Sequence, residues 1–242
     1  MSHTKLAKRA NRQNPRQERN IHILPPPEKP NRVQLIPRNL AQEAYIEALS
    51  DKSKDIVIAT GPAGTGKSLL CTLYAIRQLQ EGAISRIVIT RPALGVDEEE
   101  HGFLPGTIVD KLMPWVQPIL DIFKDHYPLP VIIKMIENGV IEFVPIAFIR
   151  GRTFKNTIVI FDEAQNSLPT AMKAVLTRIG DASRIFVTGD MDQHDRGCMV
   201  NGLHDFIERF KRNNSRLIAH CEFTNFDIER HPCVAEVLKL YE

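Results

Sequence analysis

Thr60-Gly61-Pro62-Ala63-Gly64-Thr65-Gly66-Lys67-Ser68 follows the apolar run Ile56-Val57-Ile58-Ala59 and leads into Leu69-Leu70-Cys71-Thr72-Leu73-Tyr74-Ala75-Ile76. A short buried strand, a glycine-rich loop and a helical stretch, in that order, form the setting that the pattern G-x-x-x-x-G-K-[ST] needs to cradle phosphate. The glycines let successive backbone N–H groups converge on phosphate oxygens with no Cβ in the way. The helix that follows adds its unpaired donors and the positive end of its dipole. Lys67 is then expected to reach the β- and γ-phosphates, and Ser68 to offer its hydroxyl to Mg²⁺. The stretch predicts an α/β fold with a nucleoside triphosphate held by Gly61, Pro62, Ala63, Gly64, Thr65, Gly66, Lys67, Ser68 and Leu69.

Working outward, Thr157-Ile158-Val159-Ile160-Phe161 runs into Asp162-Glu163, which reads as a buried central strand with two carboxylates at its tip. Alone, an apolar strand ending in Asp-Glu is a weak signal; about a hundred residues after a phosphate loop it is strong. Asp162 is expected to hold Mg²⁺ through a water, and Glu163 to polarise the water that attacks the γ-phosphate. Arg86-Ile87-Val88-Ile89-Thr90 and Arg184-Ile185-Phe186-Val187-Thr188 read as further parallel strands. Their carboxyl ends are where such sheets place ligands. That puts Arg91 on the functional rim as a phosphate or nucleic-acid contact, and Gln193 where it would sense the γ-phosphate. Asp190, Asp192, His194 and Asp195 also permit a rival reading as a nuclease metal site, although they crowd into one loop. The Arg150-Gly151-Arg152 turn presents two guanidinium groups suited to phosphate oxygens.

Before the loop, Leu40 to Leu49 carries a helical stripe with Asn39 as its N-cap. Gln42 on that helix is similar in place to a glutamine that many nucleic-acid-dependent ATPases carry before the phosphate loop, and that likeness makes it a candidate to hydrogen-bond adenine. Residues 94–130 look like an insertion, with Ile108, Leu112, Trp115, Val116, Ile119, Leu120 and Phe123 on one helical face, interrupted by Pro114 and Pro118. Further strands are expected over Val140–Val144 and Arg216–Phe223, a helix over Leu168–Ile179, and a C-terminal helix containing Val234, Val237, Leu238 and Leu240.

The chain has 242 residues and is 43% hydrophobic, enough for one sizeable domain with a real core. No apolar run approaches the length of a membrane span, and the first residues lack the hydrophobic segment of a secretory leader. The four cysteines form no C-x-x-C pair. They read as reduced thiols of a cytoplasmic protein rather than a disulfide frame or zinc site. Charge is unevenly placed: nine Lys or Arg residues oppose two Glu residues up to Arg38, leaving 22 basic and 27 acidic residues beyond. Residues 1–32, with Pro25-Pro26-Pro27 and little apolar periodicity, are expected to be a disordered basic arm, and 33–242 the folded domain. Such an arm suits phosphate contacts with nucleic acid as well as it suits a solubilising tail.

Taken together, Leu40-Ala41-Gln42, Gly61 to Ser68, Thr90-Arg91-Pro92-Ala93, Gly102-Phe103-Leu104-Pro105-Gly106, Ile149 to Thr153, Ile160 to Asn166, Thr188-Gly189-Asp190 through Gln193, and Arg230-His231-Pro232 resemble the PhoH-like family of phosphate-starvation-inducible ATPases. The resemblance spans roughly residues 38–242. It implies a RecA-like P-loop core, a mostly parallel sheet with helices on both faces, similar to the first motor domain of superfamily 1 helicases. It also implies ATP and Mg²⁺ as cofactors, single-stranded RNA or DNA as partner, and Gln165 and Gln193 as couplers of nucleotide state to nucleic acid. A two-domain helicase takes an arginine from its second motor half, worth about 10³–10⁵ in rate. With no second half legible here, the expectation is a homo-oligomer, a hexameric ring, in which Arg230, Arg150 or Arg152 acts on the neighbouring subunit. The readings left open are a small-molecule or nucleotide kinase and a nucleotide-gated nucleic-acid scaffold.

Overall fold

Ile56-Val57-Ile58-Ala59-Thr60 is apolar throughout rather than alternating, the pattern of a strand covered on both faces. In the computed structural model, which describes residues 32–92, 117–192, 201–213, 215–230 and 233, it is β1 (Ile56–Thr60). The other strands are β2 (Arg86–Thr90), β3 (Ile141–Phe143), β4 (Thr157–Phe161), β5 (Arg184–Gly189) and β6 (Ile218–Glu222). They form one sheet in the order β3-β2-β4-β5-β1-β6. Every neighbouring pair is parallel, so the sheet is wholly parallel among the described residues. β1 and β4 are separated only by β5, which sets the loop after β1 and the carboxylates after β4 a strand apart. This is a RecA-like arrangement.

Helices cover both faces. On one lie α1 (Leu40–Ser50), α2 (Lys67–Gln80), a helical segment α3 described over 117–124, and α4 (Leu129–Glu137). On the other lie α5 (Pro169–Leu176) and α6 (Gly202–Asn213). The period-two alternation of strands divides the core accordingly: Val57 and Ala59 of β1 pack with Tyr45, Leu49, Cys71 and Phe123, while Ile58 packs with Val175, Leu203 and Ile207. Asn39 caps α1, its side chain accepting from Gln42 N–H at 2.9 Å. Pro169 opens α5 at a position where a missing N–H costs nothing.

The strand and helix expectations hold with small shifts. β6 is shorter than Arg216–Phe223, and α5 is shorter than Leu168–Ile179. α6 has no counterpart in the sequence reading, although Leu203, Phe206, Ile207 and Phe210 recur at helical spacing. Of the insertion helix, Ile119, Leu120 and Phe123 are buried as expected; Ile108, Leu112, Trp115 and Val116 lie outside the described residues, as do the basic arm up to Asn31 and the C-terminal helix.

Candidate active site

The parallel register brings the residues that follow four strands to one edge of the sheet. Gly61 follows Thr60, which is opposite Gly189; Asp162 follows Phe161, opposite Thr90 and Val187. Around the loop after β1 lies a cavity of about 250 Å³ lined by Gly64, Lys67, Ser68, Leu69, Asp162 and Glu163 among others. α2 begins at Lys67, and its cap, Gly66 at φ 88°, supplies no side chain to the helix end. The first N–H groups of α2 therefore point unpaired toward the cavity, as an anion site requires. A Cβ on Gly66 would come within 3.1 Å of Gln42 Nε2.

Lys67 is buried. Its ammonium donates back into its own loop, to the carbonyls of Gly61 at 2.6 Å and Pro62 at 2.7 Å. Burial lowers its pKa from the ordinary lysine value, and the carboxylates of Asp190, Glu163 and Asp162 oppose that shift. Ser68 Oγ and Thr188 Oγ1 each donate to Asp162 Oδ1 at 2.6 Å. The donor set is hard, oxygen-only and anchored on a strand tip, and it fits Mg²⁺, which prefers one or two carboxylates with waters and phosphates completing its shell. The loop and open helix end likewise fit a triphosphate.

Glu163 has a positive φ of 54°, which turns its side chain toward the cavity rim. Its carboxylate accepts from Gln165 Nε2 at 2.6 Å and faces Arg91 Nη2 at 3.5 Å. Arg91 also lies 3.9 Å from Asp162 Oδ2. Gln165 is buried, and its other amide atom accepts from Asp190 N–H at 3.1 Å. A single side chain thus joins Glu163 to the tip of β5.

Gln42 lies beside the loop as expected. Its Nε2 donates to the Thr65 carbonyl at 3.1 Å and its Oε1 accepts from Arg38 N–H at 3.0 Å. That leaves one amide proton and one lone pair beyond these two bonds. Arg230 lies across the chain's own loop: a Cβ on Gly64 would collide with its side chain, and Glu229 N–H donates to the Gly64 carbonyl at 3.0 Å. Within one chain, Arg230 thus lies over its own phosphate loop. Arg152 is held elsewhere, bonded to Glu142 at 2.7 Å alongside Arg86 and stacked over Phe154. That bond ties it to β3, an edge strand of the sheet.

Gln193 lies outside the described residues, as do His194 and Asp195. Among the described residues no cluster of three or more His, Cys, Asp or Glu side chains is placed to hold a metal. Asp190 accepts from Asp192 N–H at 3.1 Å. Two positions bear on the site without having been assigned a role from the sequence. Thr188 grips Asp162, and His220 Nε2 sits 2.7 Å from Thr60 Oγ1 at the root of the loop. The buried thiol of Cys71 and the half-buried thiol of Cys221, pushed up by desolvation to about 12 and about 11, stay protonated near neutrality. A larger cavity of about 430 Å³ opens at the other end of the sheet, lined by Asp55, Tyr74 and Arg184. There Arg184 donates to the Lys54 and Asp51 carbonyls, at 2.7 and 3.0 Å.

The model of the family described as PhoH-like protein matches residues 34–242. The chain belongs to the PhoH-like family. It is 38% identical over 206 residues to the PhoH-like protein of Bacillus subtilis (strain 168), covering 85% of this chain and 63% of that protein. Against Protein PhoH of Escherichia coli (strain K12) it is 36% identical over 217 residues, covering 86% and 58%. The chain thus spans about three-fifths of the length of these relatives. Similar solved structures include the large terminase from a thermophilic bacteriophage, with TM-score 0.48 and 12% identity over 79% of this chain and 45% of that one. Another is the Sulfolobus solfataricus SWI2/SNF2 ATPase core in complex with dsDNA, with TM-score 0.43 and 16% identity over 66% and 33%. No helix among the described residues is long and apolar enough to cross a membrane.

Proposed function

We propose that this PhoH-like chain is an Mg²⁺-dependent ATPase whose turnover is coupled to single-stranded RNA or DNA. The observation that carries the hydrolytic part is the meeting of three groups at one sheet edge. These are Lys67 in the loop, the Ser68–Asp162 pair at 2.6 Å, and Glu163 held by Gln165 beside them. Lys67, drawn from the Gly61 and Pro62 carbonyls, would bind the β- and γ-phosphates. Ser68 and Asp162 would hold Mg²⁺, Asp162 through a water. Mg²⁺, when bound, neutralises charge on the phosphate oxygens. Glu163, oriented by Gln165, would accept a proton from the attacking water. Arg230, lying over Gly64, would add positive charge in cis, and Gln42 would read the base with its remaining amide proton and lone pair.

Coupling to nucleic acid is supported by the basic N-terminal stretch, which suits phosphate contacts, and by the Gln165 bridge from Glu163 to Asp190, three residues before Gln193 in the sequence. A kinase would need an acceptor pocket beside the γ-phosphate; the ordered water-activating carboxylate favours hydrolysis. In the test, Glu163→Gln retains ATP binding and loses hydrolysis by at least about 10²-fold, measured as phosphate release with and without poly(U) or single-stranded DNA. Unchanged turnover removes Glu163 from its role, and turnover indifferent to every nucleic acid removes the coupling.

A further inference from the structure

Phe226 is 98% exposed, Leu40 82% and Leu69 43%. All three are carried on segments bound to the phosphate loop or to one another. Leu69 is in the first turn of α2 and lines the loop cavity. Phe226 lies in the stretch from Phe223 to Arg230, which runs alongside the loop. At one end of that stretch Phe223 N–H donates to Thr60 O at 2.7 Å, and at the other Glu229 N–H donates to Gly64 O. The turn bearing Phe226 is braced from within, Thr224 N–H and Oγ1 donating to Asp227 Oδ2 at 2.7 and 2.9 Å. It is tied to α1 by Asn39 Nδ2, 3.3 Å from the Asp227 carbonyl and 3.3 Å from Glu229 Oε1. Leu40 is the residue after Asn39, and Gln42, two further on, reaches the Thr65 carbonyl.

An aromatic ring left in water on a braced turn adds nothing to the core. Its flat face suits a ligand that brings a π-surface of its own. We propose that Phe226 is the stacking platform for the base of the nucleoside triphosphate whose phosphates the loop holds. This rests on the triphosphate reading above and deepens it: the platform supplies affinity for any base, and Gln42 supplies the choice among them. Aromatic stacking is tolerant of base identity because every base has a π-face.

The test is titration calorimetry on the full chain with ATP, GTP and inorganic tripolyphosphate, for the parent protein, Phe226→Ala and Phe226→Tyr. Phe226→Ala is expected to weaken ATP and GTP alike, by about tenfold, and to leave tripolyphosphate affinity unchanged. Phe226→Tyr is expected to bind all three like the parent. The platform is overturned if Phe226→Ala binds ATP as the parent does, including the case where it has lost only self-association. It is equally overturned if ATP and tripolyphosphate weaken in the same proportion, since the ring would then be supporting the loop. Should the parent bind neither ATP nor tripolyphosphate, the triphosphate reading itself falls and the platform with it; binding of tripolyphosphate keeps the two failures apart.

Discussion

Glu163 and Arg91 show how much of the site is decided by single side chains. A left-handed backbone costs a residue with a Cβ about 1–2 kcal/mol, so Glu163 at φ 54° stays there only because neighbours hold it. Asn166 N–H donates to the Glu163 carbonyl at 3.1 Å, and Asp162 N–H to Thr90 O at 3.0 Å. The strain turns the carboxylate away from the β4 core and toward the cavity, the direction a water-activating base needs. Beside it, Asp162 and Glu163 are like charges on consecutive residues, and the Arg91 guanidinium lies against both. Arg91 thereby competes for the carboxylate that would hold Mg²⁺. Removing a positive charge about 4 Å from Asp162 makes the site more attractive to a divalent cation. Arg91→Ala is therefore expected to raise the affinity of the nucleotide-free protein for Mn²⁺ by about three- to tenfold, read by electron paramagnetic resonance, with Arg91→Lys close to the parent. Weaker Mn²⁺ binding in Arg91→Ala would show that the arginine orders the carboxylates rather than competing for them.

At the level of elements, the loop is clamped between α2 and the stretch that follows β6, and Gly64 is where the clamp closes. Its φ of 90° disfavours any side chain, and a Cβ would strike Arg230. Gly82 also has a positive φ, 69°, but with no atom within 4 Å of a Cβ. Gly82→Ala is expected to cost about 1 kcal/mol of stability and leave ATP affinity alone. Gly64→Ala should cost at least as much and also reduce ATP affinity and turnover, because Arg230 must move. Thermal melts and ATP titrations of the two variants check this; equal effects on ATP would mean that the Gly64–Arg230 contact is incidental. Most of these elements are legible in the sequence for a physical reason. Strands buried on both faces leave unbroken runs such as Ile158-Val159-Ile160-Phe161, and a phosphate loop needs its glycines at fixed spacing. α6 is harder to see because Leu203, Phe206, Ile207 and Phe210 are interleaved with His204, Asp205, Glu208, Arg209, Lys211 and Arg212. Its stripe is real but its mean hydropathy is low. Thr188 on Asp162 and Arg230 on Gly64 could not be read at all. Each joins residues far apart in the chain, and only the strand order β4-β5-β1-β6 brings them together.

On the scale of the whole molecule, the nucleotide site and the proposed nucleic-acid contacts draw on different parts of the chain. The described site is built from residues between Asn39 and Arg230, whereas Lys5, Lys8, Arg9, Arg12, Arg16, Arg19 and Lys29 all precede Arg32. If those seven cations meet phosphates, each contact releases a counterion, and the salt dependence of binding reports their number, with a slope of about −0.7 per contact on single strands. A chain beginning at Arg32 should then bind ATP as the full chain does, because Val33 N–H still reaches Gln80 Oε1 at 3.1 Å and the loop is untouched. Its affinity for poly(U) should drop, and its plot of log affinity against log salt should flatten by several units relative to the full chain. Fluorescence anisotropy between about 50 and 200 mM salt measures both quantities. Identical slopes would assign the phosphate contacts to the folded part and leave the basic stretch with a solubilising role. A shorter chain that also loses ATP binding would mean that the first residues support the fold itself, and the division at residue 32 would be wrong.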